Sequence, residues 1–150
     1  MKGDPMRIGM MLIGAALLLA PARGAHAEKF TVSTGPFLIE CTSTGQVCDP
    51  PATLAIGDPS RALKLRKFIY DASSAHCSAG RLLIELDGVP IGRMRFVAGS
   101  ERATLRKRRR LTPGAHTLAF RFEGKLGGCN SGRVASWAGE ISVRGRRKAL

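Results

Sequence analysis

Short stretches of strict alternation between apolar and polar residues recur along most of the chain. In Arg81–Asp87, Leu82, Ile84 and Leu86 share one face, and in His116–Phe122 so do Leu118, Phe120 and Phe122. Between Arg133 and Val143, Trp137, Ile141 and Val143 fall together with Gly139 between them. Phe37 with Ile39, and Leu63 with Leu65 and Ile69, repeat the pattern upstream. A period of two is that of a β-strand with one side in a core and the other in water. Gly and Pro interrupt these stretches every eight to twelve residues, and no window of ten or more residues after Ala27 carries a helical stripe. Asp87-Gly88, before Val89-Pro90, predicts a tight hairpin turn, and Pro113-Gly114 predicts another. Seven or eight short strands without helices predict a two-sheet sandwich or a small barrel.

Two segments narrow this expectation. Leu86-Asp-Gly-Val-Pro-Ile-Gly92, followed by Leu111-Thr-Pro-Gly-Ala-His-Thr-Leu118, resembles the cadence of bacterial immunoglobulin-like and fibronectin type III-like domains. The resemblance covers residues 80–145. It implies an immunoglobulin-like antiparallel β-sandwich, used as an adhesive or accessory module, and it transfers no catalytic residue. The Cys–Trp–Cys core of antibody domains is missing, and the lone Trp137 falls in the last expected strand.

The first 27 residues read differently. Lys2 and Arg7 precede an apolar stretch from Ile8 to Ala20, Pro21 interrupts it, and Ala25-His26-Ala27 offers small residues where a signal peptidase cuts. Thirteen helical residues span about 20 Å, short of the roughly 30 Å hydrocarbon core. The pattern predicts a signal peptide cleaved after Ala27 and a periplasmic or secreted product. Residues 28–145 would form the domain and 146–150 a basic tail.

All four cysteines, Cys41, Cys48, Cys77 and Cys129, lie beyond that cleavage point. An even count in a small exported domain predicts two disulfides. In sandwich order, Cys77 and Cys129 lie in loops at the same end, so Cys77–Cys129 is expected, leaving Cys41–Cys48 as a local clamp. Loop-closure entropy assigns the long bridge roughly 4 kcal/mol and the short one roughly 2.5 kcal/mol. Metal and redox chemistry are poorly served. Cys41 and Cys48 are too far apart in sequence for the usual zinc pair, His76-Cys77 are neighbours that point opposite ways when extended, and no Cys-x-x-Cys opens a helix.

No catalytic set emerges. His116 begins on the inward face of its strand, just after Pro113-Gly114, where a hydrogen-bonded corner residue is expected. Glu85 and Asp87 fall two apart on an outward face with no partner for acid–base work. The glycine-rich run Gly124–Gly132 lacks the spacing of a phosphate-binding loop. The sequence therefore predicts no enzyme, no metal and no cofactor.

Charge carries the functional signal. The chain has 24 Lys+Arg against 11 Asp+Glu, a formal net charge of +13. Arg106-Lys-Arg-Arg-Arg110 is its densest run. Extended, it sets Arg106, Arg108 and Arg110 on one face with Arg102, opposite Leu105 and Leu111. Arg93, Arg95 and Arg121 are outward residues of other strands. Planar guanidinium groups suit phosphate and carboxylate. The expected function is a non-catalytic binding protein that holds an anionic envelope polymer, a lipid headgroup or an acidic protein through Arg102, Arg106, Arg108 and Arg110. The alternative is an enzyme inhibitor or accessory subunit using the Cys77/Cys129 loop end. Nucleic acid is disfavoured, because no aromatic lies between Phe96 and Phe120 to stack on bases.

Overall fold

The computed structural model describes residues 27–41, 47–129, 131 and 135–148. Among these residues the chain forms nine β-strands and no helix. They are β1 (Glu28–Ser33), β2 (Phe37–Cys41), β3 (Ala52–Asp58), β4 (Leu63–Ala72), β5 (Gly80–Leu86), β6 (Val89–Phe96), β7 (Arg102–Leu111), β8 (Gly114–Gly124) and β9 (Ala135–Arg147). The expected signal peptide lies outside the described residues apart from Ala27. Strand β9 runs on to Arg147, so Arg146 and Arg147 are ladder residues rather than part of a tail.

The strands make the two antiparallel sheets that the alternation predicts. One, here sheet A, has the order β1-β9-β4-β7, with β2 also paired to β9; the other, sheet B, has the order β3-β8-β5-β6. The pairs β5·β6, β4·β7, β3·β8 and β2·β9 are nested inside one another along the sequence. A two-stranded ribbon has thus been folded over on itself, which is the connectivity of a jelly roll. The immunoglobulin order, with the first two strands beside the fifth and fourth, is not this one.

The alternating faces meet in a single core. Leu65, Phe68, Trp137, Ile141 and Val143 come from sheet A, and Leu82, Ile84, Leu118, Phe120 and Phe122 from sheet B; all are buried. Burying a side chain of this size contributes roughly 1.5–3 kcal/mol. The hairpin at Asp87-Gly88 forms as predicted between β5 and β6. Both residues have positive φ, 50° and 80°, which closes a two-residue turn and suits Asp followed by Gly. Pro113-Gly114 is not a hairpin. It carries the chain from β7 in sheet A to β8 in sheet B, a corner between the layers.

Strand β4 departs from its expected pattern. Leu63 and Leu65 face the core, but so do Phe68 and Tyr70, while Ile69 lies outside the core cluster. A β-bulge between Leu65 and Lys67 shifts the register against both β7 and β9 and reverses the parity of the strand.

Cys77 and Cys129 form the expected disulfide, with Cα atoms 5.5 Å apart, joining the β4–β5 and β8–β9 loops. Cys48 is buried and disulfide-bonded. The side chain of Cys41 lies outside the described residues, and with it the expected Cys41–Cys48 pairing.

Candidate functional site: a cationic face on sheet A

Register turns the scattered basic residues of sheet A into two rows. In one, Lys29 pairs with Arg146, Arg146 with Lys64, and Lys64 with Arg110. In the next, Arg144 pairs with Lys67, and Lys67 with Arg106. The flanking residues Phe30, Leu63, Leu65, Val143, Gly145 and Leu111 are buried, so the basic side chains stand on the outer surface. Neighbours in a row are about 4.8 Å apart across the strands, and side chains two apart on one strand about 6.6 Å. Like charges set directly opposite one another destabilise a sheet. Here five such pairs occur together.

The outer surface of sheet B is built on the opposite plan. Arg81 pairs with Glu123 at 2.5 Å, and Arg121 reaches both Glu85 at 3.2 Å and Asp49 at 2.6 Å. Those carboxylates hold the Arg121 guanidinium above its ordinary pKa, chiefly through the Asp49 hydrogen bond. Among the described residues no ion pair involves Lys29, Lys64, Lys67, Arg106, Arg144 or Arg146. Arg81 and Arg121 on sheet B are matched by carboxylates, whereas no described carboxylate pairs with these six cations of sheet A.

Edge protection accounts for part of this. Strand β7 is an edge of sheet A, and charged residues on an edge discourage pairing with other chains. Strands β4 and β9 are interior, however, and Lys64, Lys67, Arg144 and Arg146 protect no edge.

The expected site residues divide accordingly. Arg106, Arg108 and Arg110 are exposed, with Leu111 buried and Leu105 half-buried behind them. Arg102 stands apart at the other end of β7, where it is bound to Asp71, and its pKa is raised by that hydrogen bond. Arg93, Arg95 and Arg121 belong to sheet B and do not share the face. The sequence reading missed Lys29, Lys64, Arg66 and Lys67 and took Arg146 for part of a basic tail; only the pairing of distant strands brings these residues beside β7. One local signal was present: the polar pair Arg66-Lys67 between Leu63/Leu65 and Phe68/Tyr70 marks the bulge.

The remaining candidates are engaged elsewhere. His116 bonds Asp87 at 2.7 Å and the Thr112 carbonyl oxygen at 3.0 Å, the corner role expected of it. Glu85 on β5 is bound to Arg121 and Asp87 in the following turn to His116, so the two carboxylates serve separate contacts. His76 meets the Tyr70 hydroxyl at 2.7 Å and lies among Tyr70, Phe96 and Trp137. Burial lowers the His76 pKa and raises that of Tyr70. Among the described residues no group of three His, Cys, Asp or Glu side chains converges as a metal site, and no helix is long and apolar enough to cross a membrane.

No protein-family model matches the sequence, and no curated protein matches it. Several solved structures share the general outline. The CBM36-1 domain of a multidomain xylanase from the hindgut metagenome of Trinervitermes trinervoides aligns over 72% of this chain and 95% of its own, with 13% identity and a TM-score of 0.42. A GH26-CBM35 β-(1,4)-mannanase from Podospora anserina aligns over 77% of this chain and 27% of its own, with 15% identity and a TM-score of 0.45. A family 35 carbohydrate-binding module from Clostridium thermocellum gives 79%, 95%, 13% identity and 0.41. Likeness at this level carries no inference about a ligand.

Proposed function

We propose that this is an exported, non-catalytic binding protein that holds an extended anionic polymer across the outer face of sheet A. The observation that carries the proposal is the pair of cross-strand rows, Lys29–Arg146–Lys64–Arg110 and Arg144–Lys67–Arg106, in which cation is set against cation five times. Solubility asks for charge but not for like charges in register on interior strands. A polyanion laid over the rows relieves that repulsion and engages several cations at once.

The chemistry of the face favours a polymer read by charge. Among the described residues the exposed large apolar side chains, Leu38, Val47, Val89, Val97 and Leu126, include no aromatic and none stands in either row. Stacking on rings or insertion into acyl chains therefore has no platform there. The Cys77–Cys129 disulfide fits an oxidising compartment such as the periplasm or the cell exterior.

The test is binding to immobilised heparin, a sulfated polymer, over a range of salt. The wild type is expected to be retained at low and moderate salt and released as screening grows. Replacing Arg106, Arg108 and Arg110 by Ser is expected to abolish retention at moderate salt with the thermal transition nearly unchanged, because exposed charges contribute little to stability. Retention of the triple variant equal to that of wild type overturns the proposal.

A further inference from the structure

Leu65 and Phe68 are both fully buried in one core although they stand three positions apart on β4. Regular alternation would send one of them outward. The bulge resolves this by leaving both intervening residues, Arg66 and Lys67, on the outer side. Across the ladder β7 advances from Arg106 to Arg109 while β4 goes from Lys67 to Leu65, so Lys107 and Arg108 have no register partners. Arg66, Lys67, Arg106 and Arg108 consequently surround one depression of ≈ 350 Å³.

Arg66 is also the link to the rest of the face. It lines a second depression of ≈ 420 Å³ that reaches Arg110 and Arg146, and a third of ≈ 340 Å³ that reaches Lys29 and Arg144. Its Nε is sealed from solvent and has no acceptor among the described residues. Buried donors are rarely left unmade. A turn of the guanidinium onto an incoming oxyanion gives that donor its acceptor.

Resting on the reading of the face as a polyanion surface, we infer that the β4 bulge forms a discrete site for a phosphate or sulfate monoester between Arg66, Lys67, Arg106 and Arg108. Cations approach this depression from two strands, Arg66 and Lys67 from β4 and Arg106 and Arg108 from β7. A tetrahedral group with three free oxygens can meet them together, whereas a planar carboxylate is satisfied by a single guanidinium fork. The polymer would then be held in register by its ester groups rather than by diffuse attraction alone.

The experiment is a titration of the whole chain with inorganic phosphate at fixed ionic strength, read by amide and arginine NMR shifts, with acetate as control. Saturating shifts centred on Arg66, Lys67, Arg106 and Arg108, absent with acetate, are expected. The variant Arg66→Lys keeps the charge but loses the planar fork. It should bind phosphate about tenfold more weakly, the loss of one charged hydrogen-bond contact, and leave heparin at lower salt than wild type, because the sulfate groups of heparin meet the same site. Repeating the titration with α-glycerophosphate and with phosphatidylcholine vesicles containing phosphatidic acid shows whether a soluble or a lipid carrier presents the group better. Phosphate shifts spread evenly over the face, or Arg66→Lys binding like wild type, overturn the site. Heparin retention without saturable phosphate binding overturns it and leaves the polyanion reading standing; loss of heparin retention by the wild type removes both.

Discussion

His116 Nδ1 lies 2.7 Å from Asp87 Oδ2, tying the β7–β8 corner to the turn of the β5–β6 hairpin. The other Asp87 oxygen accepts from the Thr117 amide at 2.8 Å, so one carboxylate fastens two connections. The Asp87 bond raises the His116 pKa, and the same contact is the first cause of the lowered Asp87 pKa. A raised histidine stabilises the fold fully below its unfolded value, near 6.5, and loses that contribution as pH rises through the folded value. A lowered aspartate contributes above its unfolded value, near 4, and loses it as pH falls through the folded value. The gap in melting temperature between wild type and His116→Gln should therefore be widest from about pH 4 to 6.5 and shrink on both sides. A gap independent of pH contradicts a charged pair.

The Cys77–Cys129 bridge closes a sequence separation of 52 residues. The chain-entropy estimate for a loop of that size is about 4 kcal/mol. The double variant Cys77→Ser, Cys129→Ser should unfold at lower denaturant than wild type, with a loss up to that figure. Peptide mapping without reduction should recover the 77–129 link, and recovery of either cysteine in another pair would break the loop assignment.

Gly145 sits opposite Leu65 in the ladder, and a Cβ there would lie 2.5 Å from the Phe30 ring and 2.6 Å from the Lys64 carbonyl oxygen. Phe30 is buried, with the Arg147 guanidinium 5.6 Å from its ring centre. Gly145→Ala should cost about 1–3 kcal/mol by overpacking, measured by urea unfolding. An unchanged midpoint would mean that the Phe30 ring and the Lys64 backbone both yield without cost.

The sheets were readable in the sequence because half-buried antiparallel strands print their facing directly, as in Leu118, Phe120 and Phe122. The connectivity was less so. Alternation says which side a residue faces but not which strand lies beside it, and Pro113-Gly114 reads the same as a hairpin or as a corner between layers. The Cys77–Cys129 pairing came out right from an immunoglobulin-like order because the jelly roll also brings those two loops together. In the cationic face, the Arg106–Arg110 run was visible as a local density of charge. Lys29, Lys64 and Arg146 join it through pairings of residues far apart in sequence, which no local pattern encodes. The break at Arg66 was legible in principle, but Ile69, buried on the outer side, mimicked continued alternation.

Whether the arrangement of charge matters, rather than its amount, is tested most directly by two variants of equal charge. Arg106→Ser with Arg144→Ser removes the exposed cations on either side of Lys67 in one row of sheet A. Arg93→Ser with Arg95→Ser removes two exposed cations from strand β6 of sheet B. Heparin affinity is then measured as a function of salt. The sheet A variant should bind more weakly and lower the slope of log affinity against log salt by about two, one per lost contact, while the sheet B variant stays near wild type. Equal losses in the two variants would show that net charge alone governs binding and would contradict a site on sheet A.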